Sequence, residues 1–168
     1  GQVRMTREWS NLSVQDVLPT WRWIVQATGA NKLVPSLDQT TAYYGGTNLR
    51  ITGTLDGTDD IKLFQSSLPV AADTNLRVVF NRETTGASAM QIGLAFEDSP
   101  TVFQYLDVGT AATTSWNTKV FPLSAYAGRE IAVISLRFTS ASTLSNYTMR
   151  LGQLAIYNAS ITAPAAAS

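Results

Sequence analysis

"LRVVF", residues 76–80, alternates strictly: Leu76, Val78 and Phe80 fall on one face of an extended chain. That period of two predicts a half-buried β-strand, and runs rich in β-branched and aromatic residues recur throughout. "LRITG" (49–53), "IKLFQSS" (61–67), "MQIGLAFE" (90–97) and "VFQYLDV" (102–108) lie to either side, followed by "TKVFPL" (118–123), "EIAVISLRF" (130–138) and "MRLGQLAIY" (149–157). Between them "YGG", "TLDGTDD", "ETTGAS" and "DSP" are turn clusters. "IAVISLRF" and "IGLAF" are almost continuously apolar, as expected of strands at the centre of a sandwich. Strands at ~ten-residue spacing predict an all-β fold, a two-sheet antiparallel β-sandwich of jelly-roll type. "LSAYAG" (123–128) predicts one short helical turn, stopped by Gly128.

The first thirty residues read differently. Three of the four tryptophans, Trp9, Trp21 and Trp23, stand there without a clean period. Pro19 biases Leu18 toward an extended conformation, from which "WRWIVQ" (21–26) can enter a strand. The expected division is a lead-in over 1–30 that packs on the sandwich, a β-sandwich domain over 31–158, and a flexible tail over 159–168.

Composition excludes several chemistries. The 168 residues fit one domain with a sizeable core, 45% hydrophobic and only 14% charged. Twelve basic residues balance twelve acidic ones and are scattered, so no nucleic-acid footprint forms. No apolar run reaches membrane length, and no signal peptide opens the chain, which begins at Gly1 and reads as a fragment whose signal lay upstream. Cysteine and histidine are both absent, which removes thiol nucleophiles, disulfides, and the usual general base and zinc ligands.

The remaining candidates have plain structural readings beside them. The acidic pairs Asp59–Asp60 and Glu97–Asp98 adjoin turns, and neighbours on a strand point to opposite faces, so they read as solvated turn acids rather than a glycosidase pair. "LDGTDD" (55–60) offers Asp56, Asp59 and Asp60 as calcium ligands but lacks a complete loop, and reads instead as a hairpin turn. Exposed aromatics can stack on the apolar faces of sugar rings. Tyr44, one of the adjacent pair Tyr43–Tyr44, and Trp116, at a strand entrance, are the candidate carbohydrate-binding residues.

"AYYGGTNLRITGTL" (42–55), "WNTKVFPLSAYAGREIAVISLRFTS" (116–140) and "LGQLAIY" (151–157) resemble galactose-binding-like jelly rolls, a pattern shared by many carbohydrate-binding modules. More narrowly, "REWSNLSVQDVLPTWRWIV", "NKLVPSLDQTTAYYGGTNLRITGTL" and "IKLFQSSLPV" resemble a region of glycoside hydrolase family 85, the endo-β-N-acetylglucosaminidases that cut the chitobiose core of N-glycans. The resemblance runs from about Arg7 to Tyr157. It implies an accessory β-sandwich following a catalytic (β/α)8 barrel in a secreted or cell-surface bacterial enzyme. The family's catalytic Asn-x-Glu motif has one formal match, Asn81-Arg82-Glu83, but it sits between a strand and a turn and its neighbours do not match. No catalytic residue is therefore expected here, and a barrel would not fit in this length. Where many related sandwiches place a calcium-binding acid in the last strand, this chain has Gln153, so no cofactor or metal is expected.

Three functions follow as expectations. The first is a non-catalytic accessory domain bracing an upstream barrel, with an N-glycan or other oligosaccharide as a further contact. The second is an independent carbohydrate-binding module, and the third a small hydrolase, disfavoured by the missing side chains. Under the first, Trp9, Trp21 and Trp23 form the docking seam, with Trp21 and Trp23 on one strand face. An isolated domain with that seam exposed would form a weak homodimer.

Overall fold

Two antiparallel sheets enclose one apolar core. The computed structural model describes residues 3–8, 24–38, 48–82, 88–109 and 115–159, the side chains of 3–8, 24–27 and 37 excepted. The strands are β1 (Val3–Glu8), β2 (Ile24–Ala27), β3 (Val34–Asp38), β4 (Asn48–Leu55), β5 (Thr58–Pro69) and β6 (Thr74–Arg82). They continue as β7 (Ser88–Phe96), β8 (Ser99–Asp107), β9 (Asn117–Pro122), β10 (Glu130–Ser140) and β11 (Leu144–Asn158). A 3-10 turn, Ser124–Tyr126, falls within the predicted short helix, and Gly128 after it takes a left-handed φ of 87°.

One sheet has the order β3-β4-β11-β6-β9, with β1 also paired to β11; the other has the order β2-β5-β10-β7-β8. The fifteen-residue β11 is long enough to pair β4 through its first half and β1 through its second, with β6 along the latter's other edge. Most connections cross from one sheet to the other, which is the jelly-roll habit. β7 and β8, joined at Glu97–Asp98, form a hairpin within one sheet.

Two expectations need correction. "LDGT" is not a hairpin: β4 belongs to the six-stranded sheet and β5 to the five-stranded one, so Asp56–Gly57 is an arch over the core. Asp56 serves that arch by folding back on the 29–31 turn, where its Oδ2 accepts from the Ala30 and Asn31 amides and the Asn31 side chain. Only a glycine fits at position 29, because a Cβ there would collide with the Asp56 carboxylate. The sheets also begin earlier than residue 31. β1 and β2 are hydrogen-bonded members of the two sheets rather than a lead-in laid upon them.

The core is built by alternation. From the six-stranded sheet Leu49, Ile51, Leu76, Val78, Phe80, Met149 and Leu151 point inward; from the five-stranded sheet come Ile61, Leu63, Ile92, Leu94, Ile134, Leu136 and Phe138. All but Leu63 (1%) and Phe80 (5%) are wholly shielded from solvent. Each such side chain contributes roughly 1.5–3 kcal/mol of transfer free energy. The inward set on β10 fixes what faces out: Ser135 and Arg137 must lie on the opposite side of the five-stranded sheet.

Candidate functional site

That outer face carries the polar chemistry. Strand alternation places Phe103, Tyr105 and Asp107 of β8 beside Gln91 and Gly93 of β7, Ser135 and Arg137 of β10, and Asp60 and Lys62 of β5. Register aligns them in two rows across the sheet. Tyr105, Gly93, Ser135 and Lys62 form one, and Asp107, Gln91, Arg137 and Asp60 the next.

Gly93 is the hollow on which the arrangement rests. A Cβ built there would collide with Ser135 Oγ and stand 3.1 Å from Tyr105 Cε1 and 3.2 Å from a Phe103 ring carbon. Without it, both rings lean over the sheet and cover Ser135, which is buried. Phe103 and Tyr105 are roughly parallel, with centroids 6.2 Å apart and planes 22° from one another. Both remain half-buried.

Arg137 stands in the adjoining row, beside the Tyr105 ring. Its Nε donates to Asp60 Oδ1 at 2.7 Å and its Nη2 to Asp60 Oδ2 at 2.8 Å, a bidentate pair. The guanidinium carbon stands 4.0 Å from the Tyr105 ring centroid, a cation–π contact. The Asp60 carboxylate is the main cause that holds the Arg137 guanidinium above its ordinary pKa. Burial, and secondarily Asp60, push the Tyr105 phenol upward, so it is a neutral donor at physiological pH. The Arg137 side chain stays 24% exposed against 8% for Asp60, so the acid is the hidden anchor and the base the accessible partner.

The acids of this set are all engaged in structural contacts. Asp60 is neutralised by Arg137, and the other two acids of its segment are engaged elsewhere. Asp59 points into the sandwich, its Oδ2 accepting from the Leu33 amide at 2.8 Å, while Asp56 holds the 29–31 turn. Burial is the main cause that raises the Asp59 pKa. Among the described residues no group of three or more acidic side chains could hold a metal ion. At the last strand, Gln153 is buried and its Oε1 accepts from Arg77 Nη1 at 2.8 Å.

Of the carbohydrate-binding and docking residues singled out from sequence, only Trp116 lies among the described ones. Trp116 stands half-buried just before β9, an edge strand of the six-stranded sheet, away from the row on the five-stranded one. Tyr44, Trp9, Trp21 and Trp23 lie outside the described residues, as does Glu83 of the formal Asn-x-Glu match. What sequence reading missed is the row itself. Its signals were two aromatics two apart in "VFQYLDV" and a lone arginine inside the apolar run of β10.

No protein-family model matches the chain. No curated protein matches it either. Among solved structures it is similar to the glycoside hydrolase domain of Endo-D from Streptococcus pneumoniae R6, with 30% identity and a TM-score of 0.67. That match covers 81% of this chain and 21% of the other, so the chain spans about a fifth of its relative's length. The CBM22-1 xylan-binding domain of Paenibacillus barcinonensis Xyn10C shares the fold end to end, at TM-score 0.58 and 17% identity, covering 95% of this chain and 96% of that one. So does the C-terminal family 22 carbohydrate-binding module of Clostridium thermocellum Xyn10B, at TM-score 0.56 and 12% identity over 96% of each. The chain is a two-sheet β-sandwich that shares its fold with these modules, and it is similar in sequence as well as in fold to a portion of the Endo-D glycoside hydrolase domain.

Proposed function

We propose that this chain is a non-catalytic accessory domain of an endo-β-N-acetylglucosaminidase acting on the chitobiose core of N-glycans, and that it contacts oligosaccharide across its five-stranded sheet. The observation that carries the sugar contact is the cluster of Phe103, Tyr105 and Arg137 on one face of the sheet. It sets flat aromatic surface beside fixed hydrogen-bond donors, which matches the apolar C–H face and hydroxyl rim of a pyranose. The 30% identity to part of the Endo-D domain supports a place in a glycan-cleaving enzyme. The family 85 resemblance of the lead-in supports packing against an upstream barrel in a secreted bacterial protein. Trp9, Trp21 and Trp23 would make that seam and would drive weak dimerisation when the barrel is missing. A parent reading frame with no barrel upstream would favour an independent module.

Titration of chitobiose and manno-oligosaccharides against isotope-labelled protein tests the reading. One stacked ring contributes about 1 kcal/mol, so binding in the millimolar range is expected. Shifts should centre on β7, β8 and β10 and shrink in Tyr105→Ala and Phe103→Ala. No hydrolysis of a high-mannose glycopeptide is expected. Glycan release that disappears in Glu83→Gln would refute the non-catalytic assignment.

A further inference from the structure

We infer that Arg137 is the specificity-determining donor of this face, and that its pairing with Asp60 selects uncharged oligosaccharides over acidic ones. The inference rests on the carbohydrate-binding reading above and adds the class of ligand. A guanidinium carries five N–H donors. Two of them, one on Nε and one on Nη2, are spent on the two Asp60 oxygens, and among the described residues Arg137 makes no other hydrogen bond. Three donors remain on a side chain that is 24% exposed.

Those donors are fixed before any ligand arrives. Asp60, only 8% exposed, clamps the guanidinium from below, and the Tyr105 ring lies 4.0 Å from its carbon. Register brings Arg137 toward Tyr105 from the Gln91 side and Phe103 from the Ala95 side, so the ring is flanked along the strand axis. A ligand acceptor therefore meets donors whose rotamer freedom is already lost, which removes part of the ordering cost of binding. A lysine could not reproduce this, because an ammonium has neither the planar fork nor donors left over in a fixed direction.

The same pairing sets the charge. An isolated arginine on an aromatic face would attract a carboxylate or sulfate. Here the Asp60 carboxylate lies within hydrogen-bond distance of the guanidinium and cancels its charge, so an incoming anion meets Asp60 as well as Arg137. Hydroxyl and acetamido oxygens carry no such penalty and still accept from the free N–H groups. The face is thus set for neutral pyranosides.

The experiment compares neutral oligosaccharides of the chito, manno and xylo series with oligogalacturonates of matching length, at low and high sodium chloride. Wild type should bind at least one neutral series, with affinity changing less than twofold between the two salt levels, and should bind the acidic series at least tenfold more weakly. Arg137→Lys should lose at least fivefold toward the neutral ligand. Asp60→Asn should gain salt-sensitive binding of the acidic series; circular dichroism and thermal unfolding confirm that each variant folds. Should Asp60→Asn fail to fold, wild type and Arg137→Lys still decide. Equal or tighter binding of the acidic series by wild type, or neutral binding indifferent to Arg137→Lys, overturns this inference while leaving the carbohydrate-binding reading intact. Absence of binding to every neutral and acidic sugar removes both.

Discussion

Arg82 Nη1 donates to the Gly109 carbonyl at 2.6 Å from a side chain with no solvent exposure at all. Its Nη2 reaches the Ser88 carbonyl at 3.1 Å and the Ser88 hydroxyl at 3.0 Å. One guanidinium thus ties the end of β6 to the start of β7 and the exit of β8, satisfying the Gly109 and Ser88 carbonyls. Truncation would orphan two carbonyls and leave a cavity. Arg82→Ala should cost roughly 3 kcal/mol or more, and Arg82→Met, which keeps volume, about 1–3 kcal/mol. Urea denaturation measures both; a loss under about 0.5 kcal/mol for Arg82→Ala would show that the clamp is dispensable.

Gly93 is expected to be intolerant of even one methyl group. Its Cβ would strike Ser135 Oγ and crowd both rings of the row. Gly93→Ala should destabilise the fold by roughly 1–3 kcal/mol and weaken sugar binding together. Thermal unfolding and titration run on the same sample check this, and a neutral result in both would mean that the rings do not depend on the hollow.

Stability should respond to acid in two opposing ways. The Arg129 guanidinium, donating at 2.9 and 2.8 Å, is the main cause that lowers the Asp98 pKa to about 2. A depressed folded pKa gives stability that is present above the unfolded value near 3.8 and lost as pH falls toward about 2. Asp59 runs the other way. Its folded pKa is raised, so protonation favours the native state and stability grows as pH falls through that raised value toward 3.8. Asp59→Asn should flatten the dependence above pH 4 and Asp98→Asn that below it, as unfolding midpoints across pH would show. The Asp98 effect is small because the pair is exposed. Unchanged curves for Asp59→Asn would mean that its burial has no energetic consequence.

Tyr105 and Trp116 offer rival platforms on different sheets. Tyr105→Ala should weaken oligosaccharide binding about fivefold, whereas Trp116→Ala should leave affinity within about twofold and act on stability instead. The reverse pattern in a paired titration would move the site to the β9 edge.

The sandwich was legible because burial writes itself locally. Leu76, Val78 and Phe80 alternate in sequence and enter the core together, and the nearly continuous apolar run of β10 proved to be the central strand of its sheet. The turn residues were legible too, but what each turn joins was not. Asp56–Gly57 carries the dipeptide of a tight hairpin, yet it spans two sheets, because partner choice depends on strands far along the chain. The candidate site was hidden for the same reason. Asp60 and Arg137 are 77 residues apart and Tyr105 lies between them in sequence; only the order β5-β10-β7-β8 sets them side by side. Local periodicity determined which residues face inward. Which outward residues meet was decided by the tertiary pairing of the strands, since a strand's own sequence specifies its faces but not its neighbours.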